Sequence, residues 1–217
     1  MMSLDAKALL ESVKEAKSKA EKRKFAQSIE LIINLREIDM KKPESKIQES
    51  IELPHPVGKQ SKVCVIASGE LALKARRAGA DLVIERAELE SIGGDKKRQK
   101  TLVNEYEYFI SEAPLMPTVG RVLGAVLGPK GRMPTPVPPS VDIASAIEKQ
   151  RKIVQIRLRS QPILQCRIGT EEMTDEQIAE NIETVIRRLE GKLKRGLRNI
   201  RSIVIKTAMG PPIKLKI

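Results

Sequence analysis

Gly120, Gly124, Gly128 and Gly131, with Lys130 and Arg132 beside them, form the pattern in this chain that most suggests phosphate chemistry. A phosphate-cradling loop needs four residues between its glycines, followed by Lys and Ser or Thr. Here Gly124 and Gly128 enclose only three, and Pro129, which lacks an N–H, precedes Lys130. A dinucleotide fingerprint should follow the first strand of a β-α-β unit and open a helix. After Ile66-Ala67 the chain offers only Ser68-Gly69-Glu70. The stretch 114–139 is therefore expected to be a rigid loop built by glycine and proline geometry. A nucleotide-binding enzyme acting through the middle of the chain stands as the rival reading.

Other catalytic patterns are missing. His55 is the single histidine and sits between Pro54 and Pro56, without the companions of a zinc site or a Ser-His-Asp set. Cys64 and Cys166 lie in apolar, strand-like runs and read as small core residues. No paired carboxylates stand out, so no catalytic residue, metal or cofactor is expected.

Two short segments have the character of an RNA surface. Lys24-Phe25-Ala26-Gln27-Ser28-Ile29-Glu30 sets an aromatic ring beside a basic cluster where a strand begins. Ser202-Ile203-Val204-Ile205-Lys206-Thr207-Ala208-Met209-Gly210-Pro211 runs a strand into a tight Gly-Pro loop. Gly210 would allow a backbone to approach closely, and Ser202 and Thr207 would offer hydroxyls to ribose or phosphate. The polar face of a nearby hairpin, Arg157, Arg159, Gln165 and Arg167, is assigned to the same surface.

Charge agrees with that assignment. The 217 residues carry 40 Lys and Arg against 28 Asp and Glu, a net charge of +12. Apolar residues make up 41%, enough to build cores. A folded chain this basic favours a polyanion, usually nucleic acid. Residues 151–217 hold 15 basic and 7 acidic side chains, so the excess concentrates at the C-terminal end. No apolar run approaches the roughly 20 residues that span a bilayer. The first residues read as a charged amphipathic helix, not a leader. A soluble cytoplasmic protein without a membrane partner is expected.

The elements that must position these residues follow from periodicity. Helical spacing of Ala6, Leu9, Leu10, Val13, Ala16 and Ala20 predicts a helix from Leu4 to about Lys22. Alternation predicts strands over Ile29–Leu35 and, more weakly, Ile47–Leu53, with Lys41, Lys42 and Pro43 ending the first. Val63–Ala67, Glu70–Ala78 and Leu82–Ile84 read as strand, helix and strand, a β-α-β unit with a parallel sheet. Ile143–Gln150 is helical. Val154–Leu158 and Leu164–Ile168 alternate around Ser160-Gln161-Pro162 as a hairpin. Thr174 and Gln177 form a capping box for a helix that Gly196 closes. Strands follow at Ile200–Lys206 and Ile213–Ile217. Residues 1–58 alone cannot bury a core, and 151–217 leave a sheet face to cover. The two ends are expected to form one α+β domain, 1–58 plus 151–217, with 59–150 inserted as a second.

Lys24-Phe25…Ser28…Glu30, then Gly124…Leu127-Gly128-Pro129-Lys130-Gly131-Arg132-Met133-Pro134-Thr135-Pro136, then Met209-Gly210-Pro211 resemble the L-one family of large-subunit ribosomal proteins, in its archaeal form. The order and spacing match over nearly the whole length. The resemblance implies a mixed α/β fold in which an α+β domain from both termini carries an inserted Rossmann-like three-layer domain. It implies binding to large-subunit ribosomal RNA in a mobile side stalk near the exit-site transfer RNA, and repression of the chain's own operon messenger RNA. It also implies a monomer when free, housed on the cytoplasmic ribosome, and RNA contacts at Lys24, Phe25, Ser28, Glu30, Ser202, Met209 and Gly210. The chain departs from the family at Ala208, usually Thr, and at Gln165-Cys166-Arg167-Ile168-Gly169, where His-Ala-Pro-Val-Gly is expected. Ser28 is often Thr.

Overall fold

The structure is a computed structural model that describes residues 6–38, 47–58, 61–158 and 160–215. It divides into two compact units, one of residues 1–59 with 152–217 and one of residues 60–151.

The first unit begins with α1 (Ala6–Ser18), whose Leu9, Val13 and Ala16 recur at helical spacing and are buried. The apolar pattern continues to Ala20, but the helix ends at Ser18, where Lys19 and Ala20 close the last turn. Next come β1 (Ser28–Leu35) and β2 (Gln48–Glu52). Alternation in β1 buries Ile29, Leu31, Ile33 and Leu35 and leaves Ser28, Glu30, Ile32 and Asn34 half-exposed. After the other unit come β7 (Ile153–Arg157), β8 (Ile163–Thr170), α7 (Asp175–Glu190), β9 (Ile200–Thr207) and β10 (Ile213–Lys214). One antiparallel sheet has the order β10-β9-β1-β8. Helix α1 packs on β9, β10 and α7, and α7 packs on β8. The inward residues of the sheet form a single core with Ile178, Ile182, Val185, Ile186 and Leu189 of α7.

Two expectations for this unit are corrected. β7 does not form a hairpin with β8: it pairs with β2, Gln48 opposite Arg157, in a separate two-stranded sheet. The Leu158 N–H bonds the Ile47 carbonyl, which keeps the chain on β2 before it turns. Helix α7 ends at Glu190 with Gly191 after it; Gly196, at φ +53°, instead opens a 3₁₀ turn over Gly196–Asn199. The N-terminal end of α7 is a capping box, the Gln177 N–H reaching the Thr174 hydroxyl at 3.3 Å. The expectations at Leu4, Lys41, Lys42, Pro43 and Ile217 lie outside the described residues.

The second unit has β3 (Val63–Ile66), α2 (Gly69–Arg77), β4 (Leu82–Ile84), α3 (Arg86–Ile92), α4 (Lys96–Glu105), β5 (Tyr108–Glu112), α5 (Met116–Lys130), β6 (Thr135–Val137) and α6 (Ile143–Lys152). Its sheet is parallel, ordered β4-β3-β5-β6. Cys64 and Ile66 join a core with α3, α4 and α5 on one face. Val63 and Val65 join one with α2 and α6 on the other. Burial on both faces explains the unbroken apolar run of β3.

The expected glycine-proline loop is a helix for most of its length. In α5, Val119, Leu123 and Leu127 recur every four residues and are fully buried, while a Cβ at Gly120, Gly124 or Gly128 would meet nothing within 4 Å. Pro117 sits in the first turn, where no N–H is needed, and Gly131, at φ +69°, ends the helix. Each interior glycine costs a helix about 1 kcal/mol. Three apolar side chains packed into a core outweigh that. Replacing Ile182 by Ala should destabilise the first unit by about 3 kcal/mol through the cavity left between α7 and the sheet. Urea titration followed by far-ultraviolet circular dichroism measures the loss.

Candidate nucleic-acid interface

Helices α1 and α7 lie on one side of the four-stranded sheet, and among the described residues no helix covers the other side. Strand β1 runs through the middle of that open face. Its Glu30 stands between Lys206 of β9 and Arg167 of β8, and its Ile32 between Val204 and Gln165. Farther along, the Asn34 amide donates to the Ser202 hydroxyl at 2.9 Å. Ser28, Glu30, Gln165, Arg167 and Ser202 are therefore brought onto one surface from three stretches of chain. Arg157 belongs to β7 and reaches the same surface only at its margin, where it lines a groove with Gln165. Arg159 lies outside the described residues.

At the Ser28 end of the sheet, two loops meet. One leads from α1 into β1 and carries Lys24 and Phe25; the other leaves β9 and carries Met209 and Gly210. Phe25 is 54% exposed and Met209 62%, so neither belongs to the core. The residue that joins the loops is Gln27, which is fully buried. Its amide nitrogen donates to the Glu21 carbonyl at 2.8 Å, and its amide oxygen accepts the Met209 N–H at 3.1 Å. Backbone bonds complete the joint: Ala208 N–H to the Ser28 carbonyl, and Glu171 N–H to the Gln27 carbonyl. The sequence reading missed Gln27, although its spacing of two from Ile29 already set it on the inward side of the chain.

The same parity corrects Thr207. It follows Ile203 and Ile205 at intervals of two, points inward with them and is fully buried. Its hydroxyl, which has no hydrogen-bond partner among the described residues, is therefore not offered at the surface. Thr207 instead explains the glycine beside it. A Cβ at Gly210 would lie 2.2 Å from the Thr207 Oγ1 and 3.5 Å from the Ala20 Cα. The corner closes only because position 210 has no side chain.

The face is electropositive for lack of counter-charges. Lys206, Arg201, Lys214 and Arg157 make no ion pair among the described residues. In the second unit Lys62, Lys74, Arg76, Arg86 and Arg98 each face a glutamate within 4.0 Å, while Arg77, Lys96, Lys97, Lys100 and Arg121 make no ion pair among the described residues. Unpaired cations cost nothing in water and attract a polyanion.

The second unit also bears on the nucleotide reading. Its strand order reverses between β3 and β5, the place where open α/β sheets receive phosphates. There Glu112, nearly buried, accepts the Ser68 N–H at 3.0 Å and the Ser68 hydroxyl at 2.7 Å. The chain's own carboxylate thus occupies the N-terminal end of α2, where it disfavours a second anion. Burial pushes the Cys166 thiol up to about 12 and Cys64 higher still, so neither is a thiolate at neutral pH. No cluster of three metal-ligating side chains occurs among the described residues. No described helix is long and apolar enough to cross a membrane.

A profile of the ribosomal protein L1p/L10e family matches residues 14–211. The chain is 47% identical over 216 residues to the large ribosomal subunit protein uL1 of Pyrococcus abyssi, spanning 99% of this chain and 98% of that one. It is 44% identical over 207 residues to the protein of the same name from Methanothermobacter thermautotrophicus, spanning 95% and 98%. The counterpart in Thermofilum pendens is 47% identical over 209 residues, spanning 95% and 92%.

Replacing Gln27 by Met keeps the volume but strips the Met209 N–H and the Glu21 carbonyl of their partner. Leaving such groups unsatisfied costs about 1–3 kcal/mol. Amide hydrogen exchange should then speed up at Met209 well before it does at mid-sheet positions such as Leu31 and Ile33. Unchanged exchange at Met209 would show that the loop does not rely on this side chain.

Proposed function

We propose, because the chain belongs to the ribosomal protein L1p/L10e family, that the open face of its four-stranded sheet binds large-subunit ribosomal RNA and holds the protein on the ribosome. The observation that carries the reading is the meeting of Phe25 and Met209, both exposed, at one end of a sheet face on which Lys206, Arg201 and Lys214 make no ion pair among the described residues. A soluble surface gains nothing from exposing large apolar side chains on the same face as such cations. A folded RNA uses both, with phosphates on the cations and sugars and bases against Phe25 and Met209. Lys24, Ser28, Glu30, Arg167 and Ser202 fill in the surface between. Glu30 is an acceptor within a basic field, suited to a 2′-hydroxyl or an exocyclic amine rather than a phosphate.

The relatives' names support the ribosomal setting, and the finer roles go with it: a place in the mobile side stalk near the exit-site transfer RNA, and repression of the chain's own messenger RNA through a similar RNA fold. The chain acts as a monomer and without catalysis. Residues 1–58 and 151–217 carry the RNA-binding domain, and 59–150 the inserted one. Glu112 across the β3–β5 crevice weighs against a nucleotide-binding enzyme.

Sucrose-gradient sedimentation of cell extract should place the chain with the large subunit; finding it only in the free fractions would favour a repressor that works off the ribosome. In filter binding to purified large-subunit RNA, Met209→Ala and Gly210→Ala should each weaken the complex at least about tenfold, roughly 1.4 kcal/mol. Lys100→Ala in the second unit should change it little. Equal losses at all three positions would mean nonspecific electrostatic binding.

A further inference from the structure

Six residues of β1 separate Ser28 from Asn34, about 20 Å at 3.3 Å per residue. The far end of the open face is thus a different place from the Met209 corner. There a groove crosses all four strands, from Lys214 on β10 through Arg201 and Ser202 on β9 and Asn34 on β1 to Gln161 ahead of β8. A second depression shares Gln161 and carries the trough onward past β8 to Gln155 and Arg157 on β7, with Gln165 beside them.

Three features of this trough point to an occupant. First, a bulge aims a cation into it. Asn34 lies opposite Ser202 but Leu35 lies opposite Ile200, so Arg201 is the extra residue, released from the ladder. Second, the cations along the trough, Lys214, Arg201 and Arg157, make no ion pair among the described residues. Third, the space between them is lined by amides and hydroxyls. The side chains of Gln155, Gln161 and Gln165 have no hydrogen-bond partner among the described residues. Asn34 spends one N–H on Ser202, which leaves its carbonyl oxygen and the Ser202 hydroxyl proton free. An acidic peptide would need the cations but not a row of neutral groups that both donate and accept. Base edges and 2′-hydroxyls need such groups, and a sugar-phosphate strand needs the cations.

We propose that this trough holds an unpaired strand of RNA running across the sheet, with its phosphates on Arg201, Lys214 and Arg157 and its bases and riboses read by Asn34, Gln161, Gln165 and Ser202. The proposal rests on the open face being the RNA surface. It extends the RNA footprint along the face to its far end, some 20 Å from the corner where the folded part sits, and makes that end specific for single-stranded RNA. The amides supply selectivity and the cations affinity.

The test uses the full-length chain and purified large-subunit RNA in filter binding over about 50–200 mM salt. The double variant Arg201→Gln with Lys214→Gln should bind about tenfold more weakly, and its plot of log affinity against log salt should be shallower by about 1.4, the effect of two single-strand phosphates at about 0.7 each. The double variant Gln161→Ala with Gln165→Ala should weaken binding with the salt slope unchanged. All four side chains project from strands or turns at the surface, so urea titration should show wild-type stability for both variants. If both bind like the wild type while Met209→Ala is weakened, the trough is outside the footprint and the proposal is overturned, though the reading of the face stands. If only the cation variant is weakened, the assignment of the amides is overturned. If the wild-type chain itself fails to bind the RNA, both this proposal and the reading beneath it fall.

Discussion

Strand β1 takes a partner from the other end of the chain along each of its edges, β8 on one and β9 on the other. Everything about the candidate interface depends on that double pairing. It brings the segment around residues 24–34 next to 163–170 and 200–210, which no local turn would do. It also sets the parity of each position: inward residues of the three strands share one core with α1 and α7, and the alternate residues share one open surface. A register slip of one residue in β9 would send Ser202 and Lys206 inward and bring Thr207 out. The apolar inward rows of Ile29, Leu31 and Ile33 against Ile203 and Ile205 forbid such a slip.

The open face gathers unpaired cations on one sheet. In the second unit Lys62, Lys74, Arg76, Arg86 and Arg98 pair with glutamates, most of them with a neighbour four to ten residues away along the chain, while Arg77, Lys96, Lys97, Lys100 and Arg121 make no ion pair among the described residues. Such pairs contribute little to stability, yet they flatten the local potential. On the sheet face Glu30 of β1 is a lone carboxylate among the described residues of the central strand, and Lys206, Arg201 and Lys214 around it make no ion pair there. The face is rigid because its backbone is in the sheet, and the loops at its Ser28 end are fixed by the buried amide of Gln27. A prearranged surface loses little conformational entropy when a shaped polyanion docks.

Much of this was legible in the residues. Alternation located β1 and β9 to within a residue or two, and the Thr174–Gln177 pair located the start of α7. What was missed had physical causes. The glycines of α5 lower helix propensity, and only the core contacts of Val119, Leu123 and Leu127 reveal why it is a helix. β7 and β8 carry the same alternation whether they pair with each other or with β2 and β1, so their spacing could not choose between the arrangements. The chemical type of Thr207 suggests a surface hydroxyl, but its distance of two from Ile205 places it inside. Gln27, a polar residue beside a basic cluster, looks like surface. Its burial depends on a bond to Met209, 182 residues away along the chain.

The central claim is that the open sheet face, and not the helical side or the second unit, meets RNA. Ultraviolet cross-linking of the full chain to large-subunit RNA, with the linked peptides read by mass spectrometry, tests it most directly. Cross-links should fall on peptides that contain Phe25, Lys206 and Met209. Links concentrated on the outer faces of α1 and α7, or on α3, α4 and α5, would contradict the account.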